Sequence, residues 1–326
     1  VEQRLPAQAA RKTLPPSRAR KSRSQEFHAA ARQLPLLVRR YLAILLADKG
    51  MLAMMLGQSL LIALLLIWVF GDISRPDVEA EAKRVADIAA PGVAWSELLP
   101  ESQAEFRQEA SQAATAALTA KILFLLAISC LWFGCNNAAK EIVKERAIYR
   151  QERDVGLKVV SYCGSKLIVL GAASILQSTL LYAGVRLFTH LGGDGWSQYA
   201  LLSLVSLTGV AIGLAISALA DSEDVAVTMV PISLIPQIVL AGILAPLAGA
   251  TRGLAQLVIS AYWGYQGLVG TLKSPVQDRL RDAGNMDLGT EWDSARVGSV
   301  LAAHILVFAI VSLVTLRLRD NKENRR

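Results

Sequence analysis

The stretch from Glu141 to Lys166 is dense in charges of both signs, and its residue types suit ion pairing and partner binding better than catalysis. Many of its charged side chains recur three or four positions apart, a spacing at which opposite charges pair on a helix. A helix this charged is excluded from lipid, so it must lie in water or against a polar partner. The residues alone favour a solvated helix and a partner-binding helix about equally. The charged residues are Glu141, Lys144, Glu145, Arg146, Arg150, Glu152, Arg153 and Asp154.

Motifs for catalysis or metal binding are absent from the sequence. Gly164-Ser165-Lys166 lacks the upstream glycine of a phosphate loop, and neither G-x-S-x-G nor H-E-x-x-H occurs. His28 and His190 are too far from His304 to predict a metal site, and an interhelical hydrogen bond is favoured over a functional role for His304. We therefore predict no catalytic residue and no metal. Three cysteines in or beside apolar segments are predicted to be reduced packing residues: Cys130, Cys135 and Cys163.

Polar side chains inside apolar segments are candidates for a translocation path, because such residues are costly in lipid and tend to face the interior of a helix bundle. Hydrogen bonding between helices is at least as favoured an interpretation for each of them. The candidates are Gln58, Asn136, Asn137, Gln177, Ser178, Thr228 and Gln237.

Long apolar runs must position these residues. The chain has 326 residues, of which 53% are hydrophobic and only 19% are charged, whereas soluble domains have about 25% charged residues. Runs of about 20 residues with almost no charge are long enough to cross a bilayer. The sequence therefore predicts an all-α polytopic membrane protein with six transmembrane helices. The predicted spans are residues 51–70, 119–138, 160–186, 199–219, 225–247 and 297–316.

The segment before the first span is predicted to divide into a flexible basic linker, residues 1–26, and an amphipathic helix, residues 27–48. Apolar residues in the second part recur every three or four positions, which predicts one apolar face lying in the membrane interface. A helix packed on a soluble partner is the alternative interpretation. The apolar residues are Leu34, Leu37, Val38, Tyr41, Leu42, Leu45 and Leu46.

The distribution of Lys and Arg predicts the orientation. Eleven lie in residues 1–50, six in residues 139–158 and five in the tail, residues 317–326, which places these segments on the cytoplasmic side. Residues 71–118, with nine acidic and four basic residues, and residues 250–296 are predicted to be external. The net charge of +7 is explained by orientation and lipid contact, so we predict no nucleic-acid partner.

Two groups of residues carry a resemblance to a known family. Glu145-Arg146, Tyr149, Glu152, Gly156 and Ser161-Tyr162 resemble the region after the second span in G-subfamily (white/pigment-exporter type) ABC transporters. The other motifs resemble the connecting helix, the fifth span and the external re-entrant helices of this family. The resemblance covers about residues 27–316 and is to a bacterial-like member. These motifs are residues 27–48, Ala220-Asp221-Ser222, Ala226, Pro231, Pro236, Gly242, Pro246 and Tyr262-Trp263-Gly264-Tyr265.

The chain departs from this family in three respects. Residues 71–118 form a longer loop than the family has, with stretches at 77–90 and 101–117 whose composition suits helices. Residues 250–296 contain no cysteine, unlike the external disulfide loops of some animal members. The nucleotide-binding domain is not in this chain, which indicates a fragment of a fused half-transporter or a separate permease subunit. The linker-like start and the initial valine favour the fragment.

The resemblance implies the type-2 exporter fold and a homodimer or heterodimer in a cell (inner or plasma) membrane, with ATP and Mg bound by partner nucleotide-binding domains. It also implies that residues 139–158 form a coupling helix, and the low intramembrane charge favours a lipid-like or amphipathic cargo. The alternative is a non-transporting scaffold or channel-like protein whose 139–158 helix binds another partner. The predicted coupling residues are Glu141, Lys144, Glu145, Arg146, Tyr149, Arg150 and Glu152.

Overall fold

The computed structural model describes residues 23–71, 73, 78–89, 91, 93–244, 247–273, 276–282 and 293–323. Within these ranges the helices confirm the predicted all-α class. They are α1 (Arg23–Ala47), α2 (Lys49–Phe70), α3 (Glu79–Ala89), α4 (Pro100–Ala138), α5 (Arg146–Asp154), α6 (Val159–Thr189), α7 (Gly195–Leu219), α8 (Glu223–Val239), α9 (Gly249–Val258), α10 (Ser260–Gly270), α11 (Val276–Asp282) and α12 (Ser294–Glu323), with a 3-10 turn at Trp95–Glu97. Residues 1–22 of the predicted linker lie outside the described ranges, and α1 includes its last four residues.

Five helices are long and apolar enough to cross a membrane: α2, α4, α6, α7 and α12. Each contains one of the predicted spans, namely 51–70, 119–138, 160–186, 199–219 or 297–316. Polar caps fix where two of them begin. The Asp48 carboxylate accepts from Met51 N at 2.9 Å before α2, and the Asp194 carboxylate accepts from Ser197 N at 3.1 Å at the start of α7.

The remaining predicted span, residues 225–247, is only partly helical. Helix α8 has 17 residues and is therefore about 25 Å long, short of the roughly 30 Å of a hydrocarbon core. Pro231 and Pro236 lie inside α8 and remove two backbone donors, and Gly242 beyond it has φ +90°, which favours glycine. Helix length thus accounts for five crossings, and the sixth span is not confirmed. Pro246 lies outside the described residues.

The long segment 71–118 contains helices, as its composition predicted. Helix α3 lies within the predicted stretch 77–90, and the stretch 101–117 belongs to the first half of α4. Because α4 has 39 residues, it is about 58 Å long, almost twice the hydrocarbon thickness. Helix α11 packs on this outer half, where Arg279 lies 3.3 Å from Glu109. Segments 71–118 and 250–296 therefore meet around the outer half of α4.

Helices α4 and α7 pack with their backbones in contact, because glycines stand at the crossing. A Cβ atom added at Gly209 would lie 2.2 Å from the carbonyl oxygen of Leu131, and one added at Gly134 would lie 2.1 Å from that of Ser206. A Cβ atom added at Gly213, four positions further along α7, would lie 2.4 Å from the carbonyl oxygen of Cys135. This crossing joins the two halves of the bundle core.

Substitution of Gly209 by alanine is expected to destabilise the fold by about 1–3 kcal/mol, since neither backbone can move without disturbing its helix. Gly57→Ala in α2 is the matched control, because its added Cβ meets nothing within 4 Å. Denaturant titration of both purified variants in one detergent tests this. Equal stability of the two variants would contradict the packing argument.

Candidate coupling site

The predicted coupling segment, residues 139–158, is not one helix. Residues 139–145 form consecutive turns, α5 follows at Arg146–Asp154, and Gly156 ends it with φ +108°, a value that favours glycine. The turns are fixed to α7, because the Ser217 hydroxyl accepts from Ile142 N at 2.9 Å and from Val143 N at 3.0 Å. The segment therefore has a defined position below α4, at what we call the α5 end of the bundle.

A group of three charges, of which Glu141 and Lys166 are buried and Glu145 is 20% exposed, lies between this segment and α6. Lys166 is 1% exposed, and its Nζ lies 2.7 Å from Glu145 Oε2 and 3.5 Å from Glu141 Oε2. The ammonium also lies 4.1 Å from the centre of the Tyr41 ring of α1, close enough for a cation–π contact. We call Glu141, Glu145 and Lys166 the charged hub. It links the 139–145 turns to α6 and, through Tyr41, to α1.

Glu141 is the most fully buried carboxylate of the hub, at 2% exposure. Burial by itself would raise its pKa, but the positive charge of Lys166 and hydrogen bonds from Lys144 and Tyr41 outweigh that effect and hold the pKa below its usual range. The side chain therefore stays ionised at neutral pH despite its burial. Lys166 is consequently held by two carboxylates.

Helix α1 contacts α5 and the start of α6 through a second set of polar groups. The Arg40 guanidinium pairs with the Glu152 carboxylate through two hydrogen bonds. The Gln33 side chain accepts from Lys158 N at 2.9 Å and donates to Gly156 O at 3.2 Å. A bidentate pair fixes orientation as well as distance, so α1 and α5 hold a defined angle.

Helix α12 reaches the same short helix from the other side. Asp320 near its end accepts from Tyr149 Oη at 3.0 Å and from Arg153 Nε at 2.9 Å. Arg146 donates to the carbonyl oxygens of Ala220 and Asp221 just beyond α7. A cation at the C-terminal end of a helix complements its dipole. Helix α5 is therefore attached to α1, α7 and α12 by polar contacts, in addition to its link with α6 through the hub.

A comparison with known protein families identifies the family to which this chain belongs. Residues 32–272, about three quarters of the chain, match the family described as "ABC-2 type transporter". The chain belongs to the ABC-2 type transporter family. The matched range of this ABC-2 domain includes the hub, α5 and α8, and it ends before α11 and α12.

One curated relative of the ABC-2 domain supports the same assignment. The ABC transporter ATP-binding/permease protein Rv1747 of Mycobacterium tuberculosis (strain ATCC 25618 / H37Rv) is 30% identical over 166 residues. The aligned stretch takes in 47% of this chain and 19% of the relative, so the chain matches less than a fifth of that protein. The predicted membrane permease domain is confirmed, and the scaffold or channel-like alternative is not favoured.

Six of the seven predicted coupling residues of the ABC-2 domain make internal contacts that hold α5 in place. The seventh, Arg150, is exposed on α5. Among the six, Glu145, Arg146 and Glu152 each make a contact that braces the domain. The six are Glu141, Lys144, Glu145, Arg146, Tyr149 and Glu152.

The predicted translocation-path residues are not gathered in one place. Asn137 of α4 donates to Gln177 and, at 3.2 Å, to the Ser174 hydroxyl of α6. Gln177 donates in turn to Met55 O of α2 at 2.6 Å, so these amides join three helices. Asn136 and Thr228 are exposed on α4 and α8. The other three are half-buried Gln58, Ser178 bonded within α6 and Gln237 bonded to Ala261 N.

His304 makes the interhelical hydrogen bond that the sequence favoured, with its Nδ1 2.9 Å from Ser260 Oγ. All three cysteines are free and buried, as predicted. Among the described residues, no group of three or more His, Cys, Asp or Glu side chains could hold a metal ion.

Sequence reasoning missed Lys166 and Asp320 as members of the site. Lys166 carried the clearer signal, because a lysine within an apolar span must find a carboxylate or reach water. Asp320 lies in a tail where acidic and basic residues alternate, and no pattern there singles it out.

Replacing Lys166 with methionine is expected to cost about 3–5 kcal/mol of stability, because it leaves two neighbouring carboxylates without their shared cation. Lys144→Met is the matched control. Lys144 pairs with the same Glu141 but is 37% exposed, and its loss should cost about 1 kcal/mol or less. Denaturant titration in detergent measures both. Equal losses would show that burial of the hub does not matter.

Acid is expected to weaken the hub through Glu141. Its folded pKa lies below the usual value of 4.5, so its stabilisation is complete above pH 4.5 and is lost as the pH falls through the folded pKa. Glu141→Gln should therefore be less stable than the wild type at pH 7, and the difference should shrink toward pH 3. Unfolding midpoints measured across this range check it, and a constant difference would contradict it.

Proposed function

We propose that this ABC-2 domain is the membrane half of an ATP-driven exporter of the G-subfamily type, in which ATP-binding domains act on the α5 end. The observation that carries the proposal is the attachment of α5 to α1, α6, α7 and α12 through ion pairs and hydrogen bonds. A solvated loop helix would not need such contacts. ATP and Mg would be held by the partner domains.

The positions of the two ends of the domain support a six-span topology. Helix α1 and the end of α12 both contact α5, through Arg40–Glu152 and Arg153–Asp320. Two segments on the same side of a membrane are joined by an even number of crossings. Since five helices are long enough to cross alone, α8 and the chain that follows it would complete the sixth. The Lys and Arg distribution places this shared side in the cytoplasm of a cell membrane.

The surface of α5 that faces away from the bundle would dock the ATP-binding domain. Ile148 is 54% exposed and Val155, just past the helix, is 87% exposed, with Arg150 also exposed on α5. Exposed apolar side chains with an arginine nearby are typical of a protein interface. The relative from Mycobacterium tuberculosis is named as an ATP-binding/permease protein, and the partner domain here is either fused or separate.

The side chains at the α5 end fall into two groups, and this division indicates how a movement would be transmitted. The docking surface consists of side chains that are exposed to solvent, while the hub and Arg146 contact other parts of the bundle. A push on α5 would move α1, α6 and the end of α7 together as near-rigid elements. Ion pairs that are buried or bidentate hold one geometry, so the displacement would not be lost in repacking.

A second copy of the domain would complete the translocation path, as a homodimer or a heterodimer. Helix α8 buries four of its residues and exposes Ile232 and Ile235, at 62% and 59%, together with Thr228. Exposed Asn136 would add a polar group from α4. A mostly apolar path with a few hydroxyl and amide groups suits a lipid-like or amphipathic cargo.

Two variants separate docking from transmission in the assembled transporter. Arg146→Ala should leave the ATP-binding domain attached and active but reduce transport about tenfold, the effect of losing a charged hydrogen bond worth roughly 1.5 kcal/mol. Ile148→Asp should instead weaken the attachment itself. ATPase and transport assays on reconstituted protein, with cross-linking to the ATP-binding domain, measure the two effects.

Ile88→Asp is the matched control, since Ile88 is 81% exposed on α3 at the other end of the bundle. It should change neither coupling nor attachment. Normal transport per ATP in a well-folded Arg146→Ala variant would contradict the proposed transmission.

A further inference from the structure

Helix α1 has an exposed face on the side that is turned away from the bundle. Tyr41 and Leu45 are buried in a cluster that includes residues of α6. On the opposite side, residues that recur every three or four positions are all exposed, so they share one face of the helix. The apolar residues predicted to share one face therefore divide, with Leu46 on the exposed side. The exposed face consists of Arg32, Leu36, Arg39, Ala43 and Leu46.

The exposed face carries two cations that have no partner among the described residues. Arg32 and Arg39 are both exposed, and neither makes an ion pair or a hydrogen bond there. Arg40, the neighbour of Arg39, differs because it pairs with Glu152 of α5. The sequence contains no acidic residue from 27 to 47, so no carboxylate on this part of α1 offsets the two charges. The exposed face therefore attracts anions.

Leucines on the same face indicate which kind of anion it would meet. Leu36 lies between the two arginines and is 70% exposed, and Leu46 near the end of the helix is 55% exposed. A basic helix with such apolar side chains suits a membrane interface, where arginines reach the head groups while leucines enter the boundary of the acyl chains. The composition of the face thus favours lipid over a soluble anion.

The direction of α1 also suits a membrane surface. Ser161 Oγ donates to Ala30 O at 2.8 Å, and the Lys166 ammonium lies over the Tyr41 ring. Between these two contacts the chain advances about 17 Å along α1 but only about 8 Å along α6. Helix α1 therefore crosses α6 obliquely and does not run along it. Asp48 alone separates the end of α1 from α2, which is long enough to cross a membrane.

We propose that the exposed face of α1 binds the surface of an anionic membrane, with Arg32 and Arg39 at lipid phosphates and Leu36 between the head groups. Basic segments next to a membrane span are attracted to anionic lipids in this way. The proposal depends on α2 and α6 crossing the membrane and not on ATP coupling, so a failure of the transmission experiment would leave it intact. Since Arg39 adjoins Arg40, the membrane surface would also hold α1 in its pairing with Glu152.

The test measures where the exposed face lies relative to the lipid. A spin label is attached to Leu36→Cys in the full chain, whose three native cysteines are buried, in phosphatidylcholine nanodiscs with or without phosphatidylglycerol. Oxygen reports label that faces lipid, and a water-soluble nickel complex reports label that faces water. Phosphatidylglycerol should raise the ratio of lipid-facing to water-facing label. Each of Arg32→Gln and Arg39→Gln should lower that ratio about fivefold, the effect of one cation near a membrane surface.

Two controls make the result specific. Arg39→Lys should keep the label in lipid, and Lys322→Gln, which removes an exposed cation from the end of α12, should have no effect. An equal loss in Lys322→Gln, or the same ratio with and without phosphatidylglycerol, would overturn the proposal. A label shielded from both reagents would also overturn it, since the face would then be covered by protein. Because Arg32 and Arg39 have no partner among the described residues, their replacement should not disturb the fold.

Discussion

The charge of one buried lysine constrains the whole α5 end of this domain. Lys166 is almost inaccessible to solvent, and a cation in that position is stable only with carboxylates beside it. Glu141 and Glu145 supply them, so the chain leaving α4 must turn back against the first turns of α6. The place of α5 follows from that turn, and so do the contacts that α5 makes with α1 and α12.

Helices α4 and α7 are joined by one kind of contact in the apolar part of the bundle and by another at the α5 end. At the crossing of α4 and α7, in the apolar part of the bundle, Gly134 and Gly209 allow backbone contact without any polar side chain. At the α5 end the same two helices are joined through Ser217 and Arg146, whose hydrogen bonds go to backbone groups beyond the helices. Neither contact contains a flexible layer, because one is backbone on backbone and the other ties side chains to fixed amides and carbonyls. Helices α4 and α7 therefore form a firm base against which α5 is held.

The sequence predicted those features that depend on composition over a run of residues, and it failed where a contact joins distant residues. Five spans follow from apolar length alone. The end of α8 does not, because residues 225–247 carry no charge, yet the helix stops at Val239, shortly before Gly242 with its φ of +90°. Lys166 has its carboxylate partners 21 and 25 positions upstream, beyond the reach of any helical periodicity. Asn136 and Asn137 are chemically identical neighbours, yet one is exposed and the other bonded between helices, since one position rotates a helical side chain by about 100°.

Helix α4 connects the charged hub to the outer helices α3 and α11 at the opposite end of the molecule. Its proline, Pro100, stands at its first position, where it breaks no hydrogen bond, and its glycine, Gly134, is clamped by α7, so the helix has no hinge along its 39 residues. Glu109, which pairs with Arg279 of α11, lies about 44 Å from the end of α4 at Ala138. A rotation of α4 at the hub must therefore displace α11 and α3. The outer helices are therefore connected to the coupling site through one continuous helix, whose sequence offers no internal proline or free glycine at which it could bend.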